Sequence, residues 1–169
     1  MKVMLLTVSF MFVLAGCGAS ASGSMQPATS GTRGGEAPRP FQTNVLEEAR
    51  KNDAYRRVLF TGARSQLVVM TIPVGGDIGL EAHDNVEQLI FIASGRGKAI
   101  VNDADKPLAP GDVLVATPGA RHNVVNVGAE PLRIYTVYAP ANHIDGRVHG
   151  KKADAEADQA DEAFGAAVR

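Results

Sequence analysis

The stretch that decides the fold is Gly75-Gly76-Asp77-Ile78-Gly79-Leu80-Glu81-Ala82-His83-Asp84-Asn85-Val86-Glu87-Gln88-Leu89-Ile90-Phe91-Ile92-Ala93-Ser94-Gly95. Glu81 and His83 stand two apart, so on a strand their side chains point to one face. Asp84-Asn85 is turn material, and Gln88 opens the next apolar run. On that run Gln88, Ile90 and Ile92 share one face while Glu87, Leu89 and Phe91 share the other. Both faces are apolar, so parity alone does not choose between Gln88 and Glu87 as the inward polar residue.

A second segment, Gly111-Asp112-Val113-Leu114-Val115-Ala116-Thr117-Pro118-Gly119-Ala120-Arg121-His122-Asn123-Val124-Val125-Asn126, sets His122 just after a Thr-Pro-Gly turn. Imidazole nitrogen with carboxylate or amide oxygen, held on strands, is a donor set suited to a divalent transition metal.

The two segments resemble the paired motifs of the cupin superfamily, G(X)5HXH(X)4E(X)6G and G(X)5PXG(X)2H(X)3N. Gly75 opens the first motif, Glu81 stands at its first His, His83 at its second, Gln88 at its Glu and Gly95 closes it. In the second, Thr117 stands at the proline, with Pro118 displaced by one, and His122 and Asn126 fall in place. The pattern is similar to a subgroup of small bacterial cupins in which the segments RRVLFTG (56–62) and YAPANH (138–143) recur. The resemblance spans roughly Asn52 to His149.

It implies an all-β fold, a single cupin jelly-roll β-barrel, with Glu81, His83, Gln88 and His122 as metal ligands and Glu87 as the alternative to Gln88. The metal implied is a divalent transition ion, Mn, Fe, Zn or Ni, its identity left open. With Glu81 the one anionic ligand, a divalent ion retains about one positive charge, which suits an anionic or carbonyl oxygen on a ligand. Candidates around the pocket are Arg121, Asn126, Tyr138 and His143. Tyr135 and His149 lie near them in sequence, but Tyr135 takes the strand face opposite Tyr138. The resemblance also implies a homodimer formed at the barrel edges.

Outward from these motifs, strand-like runs cover Tyr55–Phe60, Gln66–Ile72, Gln88–Ala93, Lys98–Val101, Asp112–Ala116, His122–Val127 and Leu132–Tyr138, with Gly, Pro, Asn and Asp between them. Asn44 caps a short helix that follows it. The domain is placed at 44–150. The charged tail 151–169 reads as helical or disordered, with no chemistry assigned to it.

The chain opens with Lys2 and an apolar run, Val3–Leu14, too short for a comfortable span and suited to a secretory signal. The run ends Leu14-Ala15-Gly16-Cys17, which resembles the lipobox of bacterial lipoproteins. That reading gives a signal peptide at 1–16, a lipid on Cys17, and a Gly-, Ser- and Ala-rich linker at 17–43. The protein would then be exported and held at the cell envelope, on the outer membrane or its periplasmic face in a Gram-negative cell. Cys17 is the one cysteine in the chain, which excludes an internal disulfide.

A net charge of −1 gives no footprint for nucleic acid. No phosphate-binding glycine loop, serine nucleophile elbow or redox cysteine pair is present. The functions left are a metal-dependent enzyme (isomerase, decarboxylase or dioxygenase) acting on a small oxygenated molecule, and a non-catalytic module that binds such a molecule or the metal. Sugar-phosphate isomerisation fits an exported protein poorly, because phosphosugar pools are cytoplasmic.

Overall fold

Side chains on a strand alternate between faces, so an apolar residue at every second position commits one face of a sheet to the core. The computed structural model describes residues 40–168. Helix α1 (Val45–Lys51) precedes strands β1 (Arg56–Thr61), β2 (Gln66–Ile72), β3 (Glu87–Ser94), β4 (Gly97–Val101) and β5 (Ala104–Leu108). Strands β6 (Val113–Ala116), β7 (His122–Asn126), β8 (Leu132–Ala139) and β9 (Val148–His149) follow, then helices α2 (Lys152–Glu156) and α3 (Gln159–Ala166). The strands form a six-stranded sheet in the order β6-β3-β8-β2-β1-β9 and a three-stranded sheet in the order β5-β4-β7. All the pairings are antiparallel. The expected all-β jelly roll is what the chain forms.

The core lies between the sheets. Val68, Met70, Ile72, Ile90, Ile92 and Ile134 from the larger sheet meet Ala99 and Val124 from the smaller. The opposite face of the larger sheet holds Val69 and Ala93, covered by Ala49 of α1. Asn44 caps that helix as expected, its side-chain oxygen accepting from the Glu47 amide at 3.2 Å. Gly95, which closes the first motif, has φ +91°, and a Cβ there would sit 2.9 Å from Leu132 Cα and the Pro131 carbonyl. A side chain at this position would drive β3 away from β8.

Strand β2 has the expected bounds, and the other anticipated strands shift by a residue or so. Strands β5 and β9 were not anticipated. Glu81 and His83 depart from the expected regular strand: Glu81 forms an isolated bridge to His122, and His83 lies in the loop that leads to β3. Gly79, with φ +94°, breaks a continuous strand two residues before Glu81.

The tail takes the helical alternative, and the absence of chemistry assigned to it is corrected. Asp158 accepts from Arg147 Nε and Nη2 at 2.6 and 2.8 Å and lies 3.0 Å from His149 Nε2. Lys152 pairs with Asp77, in the loop that leads to Glu81. These charge partners anchor the segment, together with Ala155 and Val168, which pack against the core. The segment read as a signal peptide and Cys17 lie outside the described residues, as does most of the segment read as a linker. Phe41, assigned to that linker, stacks on Phe60 with ring centroids 5.0 Å apart. Among the described residues no helix is long and apolar enough to cross a membrane.

Candidate metal centre

Three elements bring the centre together. The bridge between Glu81 and His122 has two backbone hydrogen bonds, 2.9 Å from the Glu81 amide and 2.8 Å from the His122 amide. It fixes the loop carrying Glu81 and His83 against β7. Across the core, β3 offers Gln88 beside Tyr138 of β8, its register partner. One ligand atom each from Glu81, His83 and His122 lies within 4.8 Å of the others. Glu81 Oε1 stands 3.4 Å from His122 Nε2 and 3.5 Å from His83 Nε2.

Gln88 completes the ring of donors. Its Nε2 donates to the Tyr138 hydroxyl at 2.9 Å, which turns Oε1 toward His122 Nε2 at 2.8 Å. His122 Nδ1 lies 2.9 Å from the Ala120 carbonyl, so Nδ1 carries a proton and Nε2 faces the centre. Glu81 Oε1, Gln88 Oε1 and His122 Nε2 therefore converge as three electron-rich atoms. They repel one another unless a proton or a metal ion sits among them. His83 Nε2 is buried there with no hydrogen-bond partner, and a metal–nitrogen bond would satisfy it. The residues fit a divalent ion.

The electrostatics agree. Burial opposes the charge on Glu81, but His122 and His83 outweigh it and hold the carboxyl down at about 2. For His122 burial disfavours the imidazolium, yet Glu81 and the Ala120 carbonyl raise its pKa overall. Burial also drives Tyr138 far above the ordinary phenol range, so its hydroxyl stays a neutral partner for Gln88.

Packing answers the question of face that parity left open: Gln88 is buried and faces the core, whereas Glu87 is exposed. Of the pocket candidates, Tyr138 and His143 are at the site. The ring of Tyr138 meets His83 and His143 edge-on, with centroids 6.0 and 4.9 Å apart. Arg121 is exposed and does not line the cavity; it follows the turn with its side chain outward. Asn126 is buried but structural, its amide donating to the Ile72 and Glu130 carbonyls and accepting from the Gly128 amide. Tyr135 stacks on Phe91 on the outer face, and His149 is held between Arg56 and Asp158.

A cavity of about 630 Å³ opens over the centre, with Glu81, His83, Arg56, His143 and Asp161 among its lining residues. Arg56 and Asp161 were missed from the sequence. Arg56 lies in the RRVLFTG segment, and that segment was the available signal. Asp161 had none, because it sits in the charged tail.

A jelly roll with a carboxylate and two imidazoles gathered between its sheets defines a candidate metal-binding barrel. The Cupin domain family matches residues 68–138. The uncharacterized protein YrkC of Bacillus subtilis is 38% identical over 126 residues, which cover 71% of this chain and 68% of that protein. An uncharacterized protein of Acanthamoeba polyphaga mimivirus is 35% identical over 112 residues, 64% of this chain and 70% of its own. A crystal structure of a Bacillus halodurans protein superposes with a TM-score of 0.70 at 38% identity, covering 72% of this chain and 96% of that one. The chain belongs to the cupin superfamily.

Proposed function

We propose that this protein binds a divalent transition metal through Glu81, His83, His122 and Gln88, and through it a small oxygenated molecule, at the cell envelope. The observation that carries the reading is the convergence of Glu81 Oε1, Gln88 Oε1 and His122 Nε2 beside the unpartnered His83 Nε2. When bound, the metal supplies a Lewis acid to polarise a carbonyl or carboxylate oxygen. The chain's own residues hold that ion in place and leave one side open to the cavity. Elemental analysis of untagged protein tests the reading. The expected result is one divalent transition ion per chain, and protein that stays metal-free after incubation with Mn(II), Fe(II), Zn(II) and Ni(II) would sink it.

Envelope attachment rests on the lipobox-like segment ending at Cys17. Cys17→Ser is expected to move the protein from the membrane fraction to the soluble one. Membrane retention of that variant would refute lipidation. A homodimer is supported by the edge strand β6, where Val113 and Val115 are exposed beside Leu89 and Phe91 of β3. Sedimentation at micromolar concentration should give twice the chain mass; a monomer would overturn this part.

A further inference from the structure

His143 is held from two sides. Its backbone is clamped by the buried side chain of Gln66, whose Nε2 donates to the His143 carbonyl at 2.7 Å and whose Oε1 accepts from the His143 amide at 3.0 Å. Its ring is held by Asp161, with Nδ1 2.9 Å from Oδ2. Asp161 is itself fixed: Arg56 Nη2 donates to Oδ2 at 3.0 Å and the Ile144 amide donates to Oδ1 at 2.8 Å. With a side chain only 2% exposed, Asp161 is a buried carboxylate aimed by three donors. The other ring nitrogen, His143 Nε2, is buried with no partner, and His143 lines the cavity over Glu81 and His83.

Burial keeps the His143 ring neutral by lowering its pKa, and Asp161 only partly offsets that. A neutral ring whose Nδ1 proton goes to a carboxylate has a bare acceptor at Nε2. A buried acceptor without a donor costs stability, so a ligand bearing an O–H or N–H relieves that cost on binding.

We propose that His143 is a ligand-binding residue that selects small hydroxy acids, accepting a hydrogen bond from the hydroxyl while the carboxylate faces the Glu81–His83–His122 centre. Asp161 is the positioning residue that fixes the tautomer. The inference rests on the metal-centre reading above and gives it a ligand class.

The test uses the full chain in detergent, loaded with Co(II) and titrated by calorimetry with glycolate and with acetate, which lacks the hydroxyl. Glycolate is expected to bind about tenfold more tightly than acetate, the worth of one well-made hydrogen bond. His143→Ala should bring the ratio close to one while acetate affinity and the Co(II) absorption spectrum stay as they were. Asp161→Asn should lower the ratio with the same spectrum; an unchanged ratio would remove Asp161 from its positioning role. Equal binding of glycolate and acetate by the unaltered protein overturns the inference without relying on any variant. So does a His143→Ala protein that loses affinity for both ligands alike. Failure to take up Co(II) overturns the metal centre itself, a result read from the spectrum before any ligand is added.

Discussion

Replacing Glu81 and His83 together by alanine is expected to abolish stoichiometric metal binding while the barrel still folds. Two of the four proposed donors disappear, and the pair left, His122 and Gln88, cannot enclose an ion. Loss of a supporting partner alone typically costs ten- to a hundredfold in metal affinity. Removing two donors should therefore weaken it by more than about a hundredfold. Both residues lie outside the regular strands, in the loop between β2 and β3, so the core cluster of Val68, Ile72, Ile90 and Ile134 is untouched. Unaltered protein with metal at a hundred times its dissociation constant should gain about 2.7 kcal/mol. For a domain of this size that is a rise in Tm of roughly 10 °C. The double variant should show no rise. Metal retained at one ion per chain in that variant would place the site elsewhere.

That gain should grow with pH. A metal ion competes with the proton for imidazole nitrogen, and the raised pKa of His122 extends the competition to higher pH. In the metal-free chain His122 acts in the opposite direction and Glu81 in the same one. His122, raised on folding, stabilises fully below its ordinary value of 6.5 and ceases to as pH climbs through the folded value. Glu81, lowered on folding from 4.5 to about 2, stabilises above 4.5 and ceases to as pH falls through about 2. Thermal unfolding should thus show a larger metal-induced rise at pH 8 than at pH 6. An equal rise at both would argue that His122 is not a ligand.

Where the sequence was legible, local physics settled the matter. The short apolar run in Gln66–Ile72 and the Asn44 cap mark their elements without outside help. Asn102-Asp103 is turn material by composition, and both residues have positive φ, 47° and 68°, as a tight hairpin requires. Yet the strand that this turn leads into, β5, went unread. Its sequence Ala104-Asp105-Lys106-Pro107-Leu108 carries a proline and buries Leu108 alone, since it forms the edge of the smaller sheet. The candidate donors Glu81, His83 and His122 were visible because the motif spacing names them. The choice of Gln88 over Glu87 was not, because it depends on which face of β3 meets the second sheet. Asp161 lay furthest from view: its burial needs a salt bridge to Arg56, 105 residues away.

That distance makes Asp161 the sharpest test of the docked tail. Asp161→Ala removes the acceptor shared by Arg56, His143 and the Ile144 amide, leaving a guanidinium and two buried donors uncompensated. Removing one partner of a buried ion pair costs about 3–5 kcal/mol, so Tm should fall by on the order of 10 °C. Asp161→Asn keeps the shape and one of the two acceptor oxygens, so its loss should be smaller, with the charge on Arg56 and the lost second acceptor accounting for what remains. Denaturant titration reads both: the midpoint should move down in the order unaltered, Asn, Ala, with little change in slope, because the surface exposed on unfolding is nearly the same. A solvated, frayed tail predicts no movement at all, since an exposed aspartate contributes almost nothing. An unchanged midpoint for Asp161→Ala would therefore detach the tail from the barrel, and take with it the carboxylate that holds the His143 ring.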